Sequence, residues 1–494
     1  MNFRKRKEKI FYNTFLAVIS SFFMFLCIWS CSSDNVKEEI IAIPDPKEEP
    51  KVEPTSIKTS PIPASTQRNG DASIGKEYLI SGNYMSSGVP YTAYILARGE
   101  NTENDLNRTG ENAVLAYDYT AITTDNGVRV VAPNCLSCHS SKINNEYIIG
   151  LGSHDSDFTI NRAIEVQTLN IAIPLYYGEN SPEWDAYDQF RKSITAIGPK
   201  TITKSRGVNT ANKIAEVLVS HRDKNTLEWS EVPYSNLPDE VIPTDVPAWW
   251  LLKKKNALFY NAMGRLDFCK SFIGASMLTL VDVTKAEEID DKMTDVLAYI
   301  ESLEAPEYPY SINMALANEG KELFNNTCAT CHGTYGENGT YPNVLVALES
   351  IETDPELSNH YTETTENSTY FFNWFNTGWF GSNTNPLNLK PEGGYVAPPL
   401  DGIWATAPYL HNASVPTLAD LLNSKNRPEY WSRTFDNTDY NSEKVGWNYT
   451  VETEQKDKNT YNTNHLGYGN QGHRFGDAFT DQERKAVIEY LKTL

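Results

Sequence analysis

The residues able to do chemistry stand in two copies of one frame: Cys135, Cys138 and His139 in APNCLSCHSSK, and Cys328, Cys331 and His332 in NNTCATCHGTY. C-x-x-C-H admits three readings. The thiols and imidazole can join a zinc site, the thiols can work as a redox pair, or they can add to the vinyl groups of a haem whose iron the adjacent histidine ligates. A zinc site using both pairs would have to draw Cys138 and Cys328 together from distant segments, whereas structural zinc modules gather their ligands locally. A redox dithiol opens a helix after a strand and gives no reason for histidine in both copies. The haem reading uses all six residues. Two covalently bound haem c groups are therefore expected, with His139 and His332 as proximal metal ligands.

The far side of each iron decides whether a haem only carries electrons or also binds a small molecule. No methionine follows Met314, so the second haem must take His360, His411, His465 or His473, or stay open. For the first haem the choices are His154, His221, Met263, Met277 and Met293, or an open position. Histidines are more often surface or core residues than ligands, and the methionines sit in apolar helical patterns.

Stepping outward, each haem needs a helical frame, and a repeat supplies one. VLAYIESL (Val296–Leu303) matches VIEYLKTL (Val487–Leu494), each following an acidic stretch, DDKMTD and TDQERK, taken as the helix start. Each copy ends at nearly the same distance from its motif histidine, His139 to Leu303 and His332 to Leu494. The proline-marked segment Glu304–Ser311 divides an N-terminal haem c domain, 71–305, from a C-terminal cytochrome c domain, 306–494, and NMALANEGKELFNNT reads as a helix running into the second motif. Residues 31–70, rich in Pro, Glu, Lys and Ser, are expected to be a disordered tether. Cys269 reads as a buried apolar thiol.

At the N-terminus Arg4, Lys5, Arg6, Lys7 and Lys9 precede an apolar run ending in Ser30 before Cys31. The run is similar to a bacterial lipoprotein signal, with Ile28, Trp29, Ser30 and Cys31 as lipobox and Trp29 in a place usually held by a small residue. That resemblance implies removal of residues 1–30, lipidation of Cys31, and an exported periplasmic or cell-surface protein anchored to a bacterial membrane. The formal net charge of −21 argues against nucleic acid as a partner.

The stretch YVAPPLDGIWATAPYLHNASVPTLADLL, Tyr395–Leu422, resembles the signature of the dihaem cytochrome c peroxidase superfamily, and its longer form is similar to the rubber oxygenase branch. TDVPAWWLLKKKNALFY (Thr244–Tyr260) and GNQGHRFG add to the likeness, which spans about residues 71–494. It implies a mainly α fold of two cytochrome c-like domains, with long loops, few short strands and haems facing a shared interface. Carried onto this chain, it implies His473 as distal ligand of the second haem, the N-terminal haem as the one that binds dioxygen, and Trp249 or Trp250 as a relay between haems. His411 would act near a haem without ligating it, and a calcium ion sits between the haems in several relatives. Ala413 stands where the family has glycine.

An oxidoreductase activating peroxide or dioxygen at the first haem, supplied by a small redox partner or electron donor, is the leading expectation. An electron-transfer cytochrome with both irons six-coordinate is the alternative, and a polymer-binding surface module is a third reading, suggested by 28 tyrosines and 10 tryptophans.

Overall fold

The computed structural model describes residues 57–382 and 384–494; the signal segment, Cys31 and the tether as far as residue 56 lie outside the described residues. Two helix pairs embody the repeat. In the first, α1 (Ala72–Ser81) packs on α3 (Val283–Ser302), with α2 (Ala211–Ser220) lying between them in the chain. In the second, α4 (Met314–Thr327) packs on α7 (Asp481–Leu491), after α5 (Glu356–Thr362) and α6 (Glu366–Thr377).

Capping fixes where these helices begin. Asp71 Oδ1 accepts from the Ser73 and Ile74 amides, Asp282 from Lys285 and Asn313 from Leu316, while Thr480 and Glu483 form a capping box. The DDKMTD stretch accordingly lies inside α3 and not at its start, because Asp282 offers the cap eight residues earlier. Both pairs cross at a glycine. A Cβ at Gly75 would collide with the Asp295 carbonyl beside Val296, and one at Gly320 with the Ala486 carbonyl beside Val487. The valines shared by the two repeat copies thus mark the helix crossings.

The two halves differ in how they reach the motif. α4 runs directly into Cys328, its C-cap. Between α1 and Cys135 stand the antiparallel strands β2 (Tyr119–Thr123) and β3 (Arg129–Pro133), and β3 ends two residues before Cys135. Strands are short, two to five residues, but fifteen occur among the described residues, more than the few expected.

The tether expectation needs correction over residues 57–70. β1 (Thr59–Pro61) pairs antiparallel with β4 (Val344–Val346), which also pairs with β5 (Tyr395–Val396). Ile62 is buried beside Leu345 and Val396, and Arg68 pairs with Asp267 and Asp290. A Thr-Ser-Pro strand suits a sheet edge, where proline needs no donor, so composition alone could not separate it from a linker.

The two-domain reading holds for the helix pairs and not for the hydrophobic packing. Leu357, Phe371, Trp374 and Phe380 lie beyond the linker, yet share one core with Leu79, Val130, Cys269 and Leu297. Conversely Ile143, Leu151 and Trp250 join Phe324, Trp404 and Val487 in the second core.

Candidate functional site

The first motif sits on a 3-10 turn, Cys135–Ser137, capped by Asn134, whose Oδ1 accepts from the Leu136 amide while its Nδ2 donates to the Tyr117 carbonyl and Thr120 Oγ1. A backbone relay fixes what stands next to His139. The Gly150 amide donates to the His139 carbonyl at 2.9 Å, and the Trp249 amide donates to the Gly150 carbonyl at 2.8 Å. Gly150 has φ +91°, and a side chain there would run into Leu303 and Trp249. The relay lays the Trp249 indole on the His139 ring, centroids 4.5 Å apart and planes 16° from parallel. Trp250 faces the other core and donates Nε1–H to the Asp401 carbonyl at 2.8 Å. The consecutive tryptophans therefore serve different cores. Asn209 Nδ2 reaches Cys138 Sγ at 3.4 Å. Burial pushes His139 down to about 3, which keeps it neutral, and its Nδ1 has no hydrogen-bond partner.

In the second motif Ala329–His332 adds one turn after α4 and stops at Gly333, φ +80°. His332 Nδ1 lies 2.8 Å from the Pro398 carbonyl. A carbonyl only accepts, so Nδ1 carries the proton and Nε2 keeps the lone pair a metal requires. His473 faces this ring, with centroids 6.0 Å apart and planes at 60°. With metal–imidazole bonds of about 2 Å on each side, that separation suits two imidazoles sharing one metal centre. Burial, followed by the charges of His332 and Arg427, pushes His473 down to about 3.

The loop carrying His473 is held from two sides. The His473 amide donates to the Ile351 carbonyl at 2.8 Å, and Gly472, φ +74°, passes so close to the Glu352 backbone that no Cβ would fit. From the other side Arg427 uses all its donors. Nε reaches the Asp420 carbonyl at 3.2 Å, Nη1 those of Asn470 and Gly472 at 2.7 and 2.6 Å, and Nη2 those of Leu421 and His473 at 2.8 and 3.2 Å. Five N–H groups meet five carbonyls. No periodicity or motif singles out Arg427 in the sequence.

The competing chemistries find little support. Burial pushes Cys135 and Cys328 up to about 12, the opposite of an activated dithiol. Among the described residues no three His, Cys, Asp or Glu side chains gather as a metal cluster, as a zinc site shared by the two pairs would require. Cys269 is fully buried in the first core.

The remaining sixth-ligand residues are occupied elsewhere. His154 packs on Trp447 and contacts Arg433 and the Lys142 carbonyl; His221 stacks on Trp229 and its Nδ1 meets the Ser230 carbonyl. Met263, Met277 and Met293 are buried in the first core. His360 bonds Glu216, and His465 bonds Gln455.

His411 lies against Tyr395, ring centroids 4.0 Å apart, with Tyr260 at 6.4 Å and its own carbonyl accepting the Asp245 amide. Burial pushes His411 down to about 3 and leaves Nε2 unpartnered. Tyr260 donates to Asp245 Oδ2 at 2.6 Å, and burial lifts Asp245 to about 7. Sequence reading missed this Asp245–Tyr260 pair, although both residues fall within the Thr244–Tyr260 stretch. Ala413 keeps the left-handed backbone, φ +57°, that a glycine at its place would adopt freely.

Residues 317–393 match the cytochrome c family model, and residues 394–432 match the model described as RoxA-like, cytochrome c-like. Residues 317–432 are cytochrome c-like. A domain of this kind holds haem c covalently, and the matched stretch contains Cys328, Cys331 and His332 as well as His411. Two curated proteins of Sinorhizobium fredii (strain NBRC 101917 / NGR234) are similar. The uncharacterized protein y4iM is 26% identical over 253 residues, 46% of this chain and 54% of that protein. The uncharacterized protein y4iJ is 30% identical over 241 residues, 37% of this chain and 39% of that protein. The chain thus spans about half the length of the first and two fifths of the second.

Proposed function

We propose that the protein is an exported, lipid-anchored dihaem cytochrome c, an oxidoreductase whose first haem reacts with peroxide or dioxygen and whose second haem carries electrons from a small redox partner. Cys135, Cys138 and His139 would hold the first haem; Cys328, Cys331, His332 and His473 would hold the second. Bound haem supplies an iron that changes oxidation state and, where a coordination position is free, binds a small molecule.

The observation that carries this reading is the inequality of the two motif histidines. His332 has an imidazole facing it at 6.0 Å and a carbonyl fixing its tautomer. The ring packed on His139 is an indole lying on the imidazole face, and among the described residues no second imidazole is in ring contact with His139. Trp249, packed on His139, and its neighbour Trp250, in the core against which Cys328 packs, are consecutive residues that could relay electrons between the two motif environments. Asp245, neutral or charged within a small pH change of 7, and Tyr260 can hold or release a proton at Oδ2 beside the segment leading to Trp249. Cys31 would carry the lipid, and the acidic surface would favour a basic redox partner.

The test is carbon monoxide titration of the fully reduced, purified protein, with haem counted by pyridine haemochrome. Two haems and about one carbon monoxide per chain are expected. Binding at neither haem would leave an electron carrier, and binding at both would remove His473 as a ligand.

A further inference from the structure

The second core carries a connected run of oxidisable rings. Trp447 packs on His154, centroids 4.4 Å apart, and Tyr440 follows Trp447 at 5.8 Å. From Tyr440 the run reaches Tyr310 directly, centroids 6.2 Å apart and planes 7° from parallel. A branch joins the same two residues through Trp404, 6.0 Å from Tyr440, and Tyr308, 5.6 Å from Trp404 and 5.4 Å from Tyr310. Trp447, Tyr440 and Trp404 are buried, whereas Tyr310 is 38% exposed. The inner end adjoins the first motif: the loop that bears His154 gives the Gly150 amide to the His139 carbonyl at 2.9 Å and the Ser153 amide to the Cys138 carbonyl at 2.8 Å.

Phenol and indole give up a single electron far more readily than the benzene ring of phenylalanine. Packing does not by itself demand them, since the aromatic cluster around α6 is built on Phe371, Phe372, Phe375 and Phe380. Charge grades the run. The buried Arg433 guanidinium lies over Trp447 at 4.7 Å and Lys492 Nζ over Tyr308 at 5.3 Å, while among the described residues no cation lies over Tyr440 or Tyr310. A cation over a ring opposes loss of an electron from it, so positive charge formed at Trp447 is driven outward. Protons decide where it stops. Tyr440 donates to the Trp404 carbonyl at 2.7 Å and Tyr308 to the Ser442 carbonyl at 2.6 Å, and a carbonyl is a poor proton acceptor; exposed Tyr310 can release its proton to water.

We propose that Trp447, Tyr440 and Tyr310 conduct single electrons between the protein surface and the haem site at Cys135, Cys138 and His139, with Trp404 and Tyr308 as a parallel branch. For each electron that moves inward, Tyr310 loses one electron to the run and its phenolic proton to water, the oxidised haem centre gains the electron, and an external reductant returns one electron and one proton to the tyrosyl radical. The inference rests on the reading of the first motif as a haem site.

The experiment is flash photolysis of the fully reduced holoprotein with tris(bipyridine)ruthenium(II) and chloropentaamminecobalt(III) as quencher. The ruthenium(III) formed by the flash takes an electron from the protein surface, and haem oxidation, followed by absorption, reports electrons drawn outward along the same rings. Both branches end at Tyr310, so Tyr310→Phe, which keeps the ring and removes the phenol, should slow haem oxidation at least about tenfold. Tyr234→Phe, at an exposed tyrosine outside the run, should match wild type. Trp447→Phe should slow it as well; if that variant does not fold, Tyr310→Phe decides alone. An unaltered rate in Tyr310→Phe, or equal slowing in Tyr234→Phe, would overturn the proposal. Haem content and carbon monoxide stoichiometry test the underlying reading and should be the same in Tyr310→Phe as in wild type, so the two can fail separately.

Discussion

Replacing Arg427 by lysine tests the His473 loop directly. Burial lowers the guanidinium only to about 10, so at neutral pH all five donors are present. They hold the carbonyls of Asp420, Leu421, Asn470, Gly472 and His473. An ammonium brings three donors in a tetrahedral arrangement, which leaves at least two carbonyls without a partner. An unsatisfied buried carbonyl costs about 1–3 kcal/mol. Arg427 is only partly buried, and water can reach some of the vacated groups, so about 2 kcal/mol for the pair is the appropriate figure. Free energy of that size raises the open population of the loop about 30-fold. The His473 amide, bonded to the Ile351 carbonyl, is the reporter. Residue-resolved hydrogen exchange should show this amide exchanging about 30-fold faster in Arg427→Lys, with α7 amides unchanged. Exchange within about threefold of wild type would refute the clamp, and with it the argument that Arg427 positions His473.

Gly320→Ala should lower stability by about 2–3 kcal/mol in urea titration, because the new methyl meets the Ala486 backbone and the helices must part. Gly274→Ala is the control: nothing lies near that Cβ, and removing a helical glycine should stabilise by about 0.5–1 kcal/mol. Asp245 gives a pH signature. Its folded value of about 7 exceeds the ordinary 3.8, so between those values the folded protein keeps a proton that the unfolded chain has released. Stability therefore falls as pH rises through that window and levels off above it. Relative to Asp245→Asn, the wild type should lose roughly 2 kcal/mol between pH 5 and 7 in denaturant titrations, and a flat difference would count against the burial of Asp245. Trp249→Ala should slow electron exchange between the haems after pulse reduction while leaving the haem content unchanged; an unaltered rate would exclude Trp249 from the route.

What the sequence determined by itself is the chemistry that is local in the chain. C-x-x-C-H places thiols and imidazole within one turn whatever surrounds them, and the repeat around Val296 and Val487 announces two matching helices because helical periodicity is written into neighbouring residues. Contacts between distant segments were decided only by the tertiary structure. The Gly150 relay that sets Trp249 on His139, the carbonyls of Asn470, Gly472 and His473 around Arg427 and the edge pairing of Thr59–Pro61 join residues from different segments of the chain, and no spacing rule encodes them. His473 shows the division most clearly. Its type and a resemblance marked it, yet three other histidines and an open position competed for the role. The Ile351 carbonyl and the Arg427 guanidinium hold the loop that brings its ring to face His332, while Glu216 and Gln455 engage His360 and His465.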